Sequence, residues 1–153
     1  MKRDGAFNLF REIVAALFVL LFLYTGIEKL GERGEFEAAM SRSELIEPIA
    51  SILSWTVPVA ELIIVLMLFI PALRRAGLIA ATVMMSLFTA YIVYILNYYE
   101  KLPCTCGGVI EQMTWKEHMI LNIAFLVLGA IAIVPHKSLN RFIAINRRSR
   151  IPV

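Results

Sequence analysis

The sequence predicts an all-α membrane protein, a polytopic bundle of four transmembrane helices with both termini on the cytoplasmic side. Three observations predict it. Four apolar stretches approach the roughly 20 residues that a helix needs to cross a hydrocarbon core. Those stretches carry almost no charge, and the basic residues between them fall unevenly on two sides. Composition agrees: 59% of the 153 residues are hydrophobic and the mean hydropathy is +0.75, whereas ordinary soluble domains are nearer half apolar. The net charge of +3 is no nucleic-acid signal, because the basic residues form no single stripe among aromatics.

The first stretch, Ile13–Leu30, is free of charge as far as Ile27. It lacks a small-residue cleavage site and runs on into Glu28 and Lys29, so it reads as a retained helix rather than a signal peptide. The second, Ala50–Leu73, contains one charge, Glu61, and the third, Ala76–Tyr99, contains none. The fourth is Trp115–Val134, polar only near its start and at Asn122. Soluble helices need a polar face, and the third stretch offers almost none. The whole chain, 1–153, reads as a single membrane domain.

Ten of the fifteen Lys and Arg residues lie at the termini, at Arg11 or at the Arg74–Arg75 turn. The other five, Lys29, Arg33, Arg42, Lys101 and Lys116, lie beside the two remaining connections. Cytoplasmic segments collect Lys and Arg, so both termini are expected inside a bacterial inner membrane. The basic tail, 136–153, is expected to rest on the anionic inner leaflet. In the first outer connection Ser41 and Glu44 have capping-box spacing. Phe36, Met40 and Ile46 give a sparse apolar face, so a short interfacial helix is expected there.

The second outer connection carries both cysteines, in Pro103-Cys104-Thr105-Cys106-Gly107-Gly108. A disulfide needs Cα atoms about 4.4–6.8 Å apart, so a pair two residues apart bridges only across a sharp turn. Pro103 and the two glycines supply turn chemistry. Such small loops are strained, and strained disulfides are oxidising and labile. Four readings stand: a redox-active dithiol, a passive disulfide, inert thiols, or a metal site completed by His118. A passive staple across so short a loop removes little chain entropy. Inert thiols suit an oxidising compartment poorly, and this spacing with one distant histidine is unusual for zinc; no metal is favoured.

Thr114 and Glu117 form a capping box that starts the fourth helix beside the cysteines. The positive end of that helix favours a nearby thiolate. Trp115 suits the interfacial aromatic belt. His118 sits in the first turn, with Asn122 one turn further on the same face. His118 reads as a proton carrier in thiol–disulfide exchange or a hydrogen-bond partner of a bound quinone, or else as an interfacial histidine bonded to backbone. Asn122 reads first as a helix–helix hydrogen-bonding residue. Glu61, deep in the second span, marks a functional or structural pairing by default; its expected partner is Lys29, with Tyr24 or Tyr91 nearby. Pro58, three residues before Glu61, frees the backbone carbonyl one turn before itself.

Together, Thr25-Gly26-Ile27-Glu28-Lys29-Leu30, Pro58-x-x-Glu61, the cysteine loop through Val109 and Trp115-Lys116-Glu117-His118 resemble the MauE/DoxX group of redox-associated membrane proteins, from about Ile13 to Val134. The cysteine loop followed by the Trp-x-x-His helix start is the more specific part. The resemblance implies a four-helix membrane bundle linked to extracytoplasmic thiol or sulfur redox chemistry. The MauE branch is associated with disulfide formation, the DoxX branch with quinone-linked thiosulfate oxidation. The architecture also looks like the disulfide-generating enzymes of the DsbB and vitamin K epoxide reductase type. Those relay electrons through two cysteine pairs, whereas this chain has one. The resulting expectation is a membrane thiol–disulfide redox protein with Cys104, Cys106 and His118 as catalytic residues. An extracytoplasmic thiol protein would be its partner, and a quinone would be held near Trp115, Asn122 and Tyr98. The alternative is a non-catalytic subunit or assembly factor of a larger membrane complex, or a metal-handling protein.

Overall fold

The structure, a computed structural model, describes residues 2–98 and 115–134, with side chains from 5 to 97 and from 116 to 134. The cysteine loop, Thr114 and the basic tail lie outside the described residues. Five α-helices make up the described chain: α1 (Lys2–Gly31), α2 (Arg33–Met40), α3 (Ala50–Phe69), α4 (Arg74–Tyr98) and α5 (Trp115–Ile133). A single 3-10 turn, Glu47–Ile49, leads into α3. Every helix except α2 is long and apolar enough to cross a membrane. The shortest of these spans, Lys116–Ile133, has 18 residues, about 27 Å at 1.5 Å per residue, which still suits a core of about 30 Å.

Several boundaries differ from those expected. The first helix begins at Lys2 rather than Ile13, because Phe7, Leu9 and Phe10 continue its helical pattern. The third helix stops at Phe69, not Leu73. Pro71 disfavours helical backbone at the residue before it, and Ile70 is already extended. The next helix then starts at Arg74. The short interfacial helix exists, but Ser41 ends it instead of starting it. Ser41 donates from both its amide and its hydroxyl to the Glu37 carbonyl, each at 2.9 Å. The capping-box spacing of Ser41 and Glu44 was therefore misleading. At the C-terminal turn the same small hydroxyl adds a second donor to a carbonyl that already accepts the last helical bond.

The helices form a ring in which α1 packs beside α3, α3 beside α4, and α4 beside α5, while a sparser α1–α5 seam closes it. The core is apolar and aromatic. Phe18 of α1 is fully buried and meets Phe125 of α5 edge-on at 5.2 Å. Ile64, Val65 and Leu68 of α3 and Leu78, Ala81 and Met85 of α4 complete it. Outward faces are apolar too: Leu20, Ile63, Leu66, Val83, Ile120 and Val127 are all exposed. That much exposed hydrocarbon is tolerable only in lipid.

Small residues set the closest approaches. At the α3–α4 turn, a Cβ on Gly77 would lie 3.1 Å from the Leu68 backbone nitrogen. Deeper in the bundle, a Cβ on Gly129 of α5 would collide with the Thr82 hydroxyl of α4. Membrane helices associate by such close packing, because lipid offers no hydrophobic drive between them. At the turn end, Arg74 reaches Glu12 of α1 at 3.4 Å. At the other end, α2 is held on α3: Arg33 lies 3.2 Å from Glu37 and 4.9 Å from the Trp55 ring, and the Ser54 hydroxyl lies 3.3 Å from Glu37.

Candidate functional site: a polar cluster under α2

Glu61 is completely buried. A lone carboxylate there would be prohibitively costly, so it needs a partner. Lys29 supplies it, with its ammonium 2.5 Å from Glu61 Oε1. Lys29 is itself only 7% exposed. Its ammonium sits 4.9 Å from the centre of the Phe88 ring and 5.6 Å from that of Phe36, so aromatic faces take over part of its solvation.

The two short motifs now have a spatial reason. Thr25 and Lys29 are one turn apart on the same face of α1. The Thr25 hydroxyl lies beside the Glu61 carboxylate and donates to the Leu21 carbonyl at 3.0 Å. Gly26 sits close against the carboxylate: a Cβ there would stand 3.4 Å from Glu61 Oε2, which leaves room for a methyl group and little more. Opposite them, Pro58 and Glu61 are both fully buried on α3. Tyr24, also expected near Glu61, is partly exposed, and Thr25 is a neighbour of the carboxylate that the sequence did not mark. Glu61 Oε2 makes no hydrogen bond among the described residues.

His118 and Asn122 of α5 face the same interior; they are 8% and 3% exposed. Asn122 differs from the other polar side chains of the spans. Thr56, Thr82, Ser86, Thr89 and Asn97 each donate to the carbonyl one turn back in their own helix. The Asn122 side-chain nitrogen is buried and has no hydrogen-bond partner among the described residues.

Between these groups lies a cavity of about 190 Å³. Its inner wall is α1 and α5, with Thr25, Lys29, His118 and Asn122. Leu53 and Val57 of α3 and Leu87, Phe88 and Tyr91 of α4 line the opposite side. Phe36 and Met40 of α2, with Ile46, cover it at the end of the bundle. Among the described residues no three His, Cys, Asp or Glu side chains are grouped to hold a metal.

The expected site is thus assembled in part. His118, Asn122 and Lys29 line one cavity, and Glu61 joins them through its ion pair with Lys29. Trp115 opens α5 and Tyr98 closes α4, but their side chains lie outside the described residues, as do Cys104 and Cys106. Sequence reasoning did not single out Thr25, Phe88 or Met85 for this site. Thr25 could have been found from its one-turn spacing to Lys29. The other two look like ordinary packing residues in a charge-free span.

Fold and interior together define a four-span membrane protein with a buried ion pair and a cavity at one end. The family model "Methylamine utilisation protein MauE" matches residues 8–135, and the chain belongs to that family. No curated protein and no solved structure matches it.

Proposed function

We propose that this chain is a thiol–disulfide redox protein of a bacterial inner membrane. In this reading Cys104 and Cys106 face the extracytoplasmic side and pass electrons from a thiol partner protein to a quinone among the helices. One observation carries the reading. A largely apolar cavity that Lys29, His118 and Asn122 also line lies at the end of the bundle where α4 finishes and α5 begins, and the segment joining those ends contains both cysteines. The uneven distribution of Lys and Arg supports the orientation.

The cavity suits a substituted ring. An apolar cavity of about 150 Å³ accepts benzene, and this one is somewhat larger and carries donors on one wall. A quinone bound there would supply the sink for two electrons and two protons. The partner's two thiols lose those electrons and protons and become a disulfide, while the Cys104–Cys106 bond breaks to two thiols. Electrons and protons then leave the pair, and its disulfide forms again. Cys104 forms the mixed disulfide with the partner, and Cys106 is the thiol that leaves and later closes the pair. His118 holds or moves a proton at its ring, and Asn122 orients what lies in the cavity.

The test is to purify Cys106→Ser from membranes and identify what is attached to Cys104. A trapped extracytoplasmic thiol protein is the expected result. Nothing attached, together with a wild-type pair that resists mild reductant, overturns the proposal. Co-purification of a partner that survives loss of both cysteines would favour an anchoring subunit instead.

A further inference from the structure

We infer that the cavity is entered sideways from the bilayer, between α3 and α4, and holds a lipid-tailed molecule whose ring head accepts a hydrogen bond from the Asn122 side-chain amide. This deepens the quinone part of the function proposed above and needs none of the cysteine chemistry. Three observations carry it.

The first is the shape of the α3–α4 seam. At the turn the two helices are in backbone contact through Gly77 and Leu68. Towards the other end, Leu53 and Val57 of α3 and Leu87 and Tyr91 of α4 all line the cavity. Leu87 lines the cavity and is also 62% exposed on the lipid-facing surface, so the gap opens laterally. The end that would otherwise lead to water is covered by Phe36, Met40 and Ile46.

The second is polarity. The groups that can hydrogen-bond or carry charge stand mainly on the inner wall, while the mouth is hydrocarbon and aromatic. This gradient fits an amphiphile lying head inward with its tail in the membrane. A polar solute would have to cross the apolar mouth, and a plain acyl chain would leave the inner wall unsatisfied.

The third is Asn122. Its amide nitrogen is buried and has no partner among the described residues, and the residue lines the cavity. An unsatisfied buried donor is costly, and an acceptor on the ligand head removes that cost. Lys29 stands on the same wall but is already neutralised by Glu61, so the site suits an uncharged head bearing a carbonyl rather than a free anion.

The test uses the full chain in quinone-free nanodiscs and measures tritiated benzoquinone retained above that on empty discs. One probe carries a decyl tail, and the other is the same ring without a tail. Saturable binding of the tailed probe is expected, weakened about tenfold by Asn122→Leu, the size of one buried hydrogen bond. Leu87→Trp, at a lipid-exposed position that should not disturb folding, is expected to weaken the tailed probe more than the tail-less one. Non-saturable uptake overturns the inference, as does binding unchanged in both Asn122→Leu and Leu87→Trp. So does a co-purified phospholipid that the probe cannot displace. The two proposals fail separately. Normal probe binding without partner oxidation sinks the thiol reading alone. Partner oxidation that is indifferent to Asn122→Leu and Leu87→Trp sinks this one alone.

Discussion

Glu61 and Lys29 are the residues on which the interior turns. A buried ion pair is weak evidence of stability, because desolvation offsets much of the attraction. Breaking one half is another matter, since it strands the other charge. Glu61→Gln should therefore cost about 3–5 kcal/mol, seen as lower yield and a lower melting temperature in detergent. Turnover per folded molecule should persist, and Lys29→Met added to Glu61→Leu should restore the yield. Loss of turnover at normal yield would instead make Glu61 a proton relay. Gly26 gives a finer test on the same contact. A single methyl at 3.4 Å from Glu61 Oε2 is ordinary contact, so Gly26→Ala should be tolerated. Gly26→Val should lose about 1–3 kcal/mol through overpacking, read by the same melting assay. The sequence exposed this pair because a charge in an apolar span is conspicuous. It could not expose Phe88, whose ring over the ammonium looks in sequence like any other core aromatic.

Among the elements, the four long helices were legible because about 20 apolar residues in a row admit few alternatives. Their ends were less so. The end of α3 depends on Pro71, and the small helix α2 on which side of Ser41 the helical turns fall. Spacing alone does not distinguish an N-cap from a C-cap when the residue is a serine. Helix pairing was legible for α3 and α4, through their short turn, and for α1 and α3, through the expected partnership of Lys29 with Glu61. The α4–α5 seam rests on Gly129 against Thr82, a contact between positions far apart in sequence. Gly129→Ala should therefore destabilise the bundle by about 1–3 kcal/mol. Thr82→Ala should relieve much of that in a double-mutant cycle measured by thermal melting. Additive losses would show that the two helices do not meet there.

At the scale of the whole molecule, the helices bring groups from α1, α3 and α5 to one end of the bundle and roof them with α2. His118 belongs to that assembly, being buried and lining the cavity. His118→Ala should lower oxidation of a partner protein without reducing membrane insertion, checked by carbonate extraction alongside a thiol-oxidation assay. Unchanged oxidation would remove it from the mechanism. Orientation is testable on the same scale. Reporter fusions at both termini should be active on the cytoplasmic side, and Cys104 should react with an impermeant thiol reagent applied from outside.

By itself the sequence determined the class of protein. The bilayer demands runs of apolar residues, and nothing in tertiary packing can supply or hide them. It also determined that Glu61 must be paired, since a buried carboxylate is too costly to leave alone. Only the tertiary structure decided what those residues enclose. Thr25, Lys29, Glu61, His118 and Asn122 belong to three helices, and each helix alone shows a polar group without a purpose. Packing brings them together at one end of the bundle, where Thr25, Lys29, His118 and Asn122 line one cavity and Glu61 pairs with Lys29 beside it. That arrangement depends on contacts between residues that no local pattern links, such as Gly77 against Leu68 and Gly129 against Thr82.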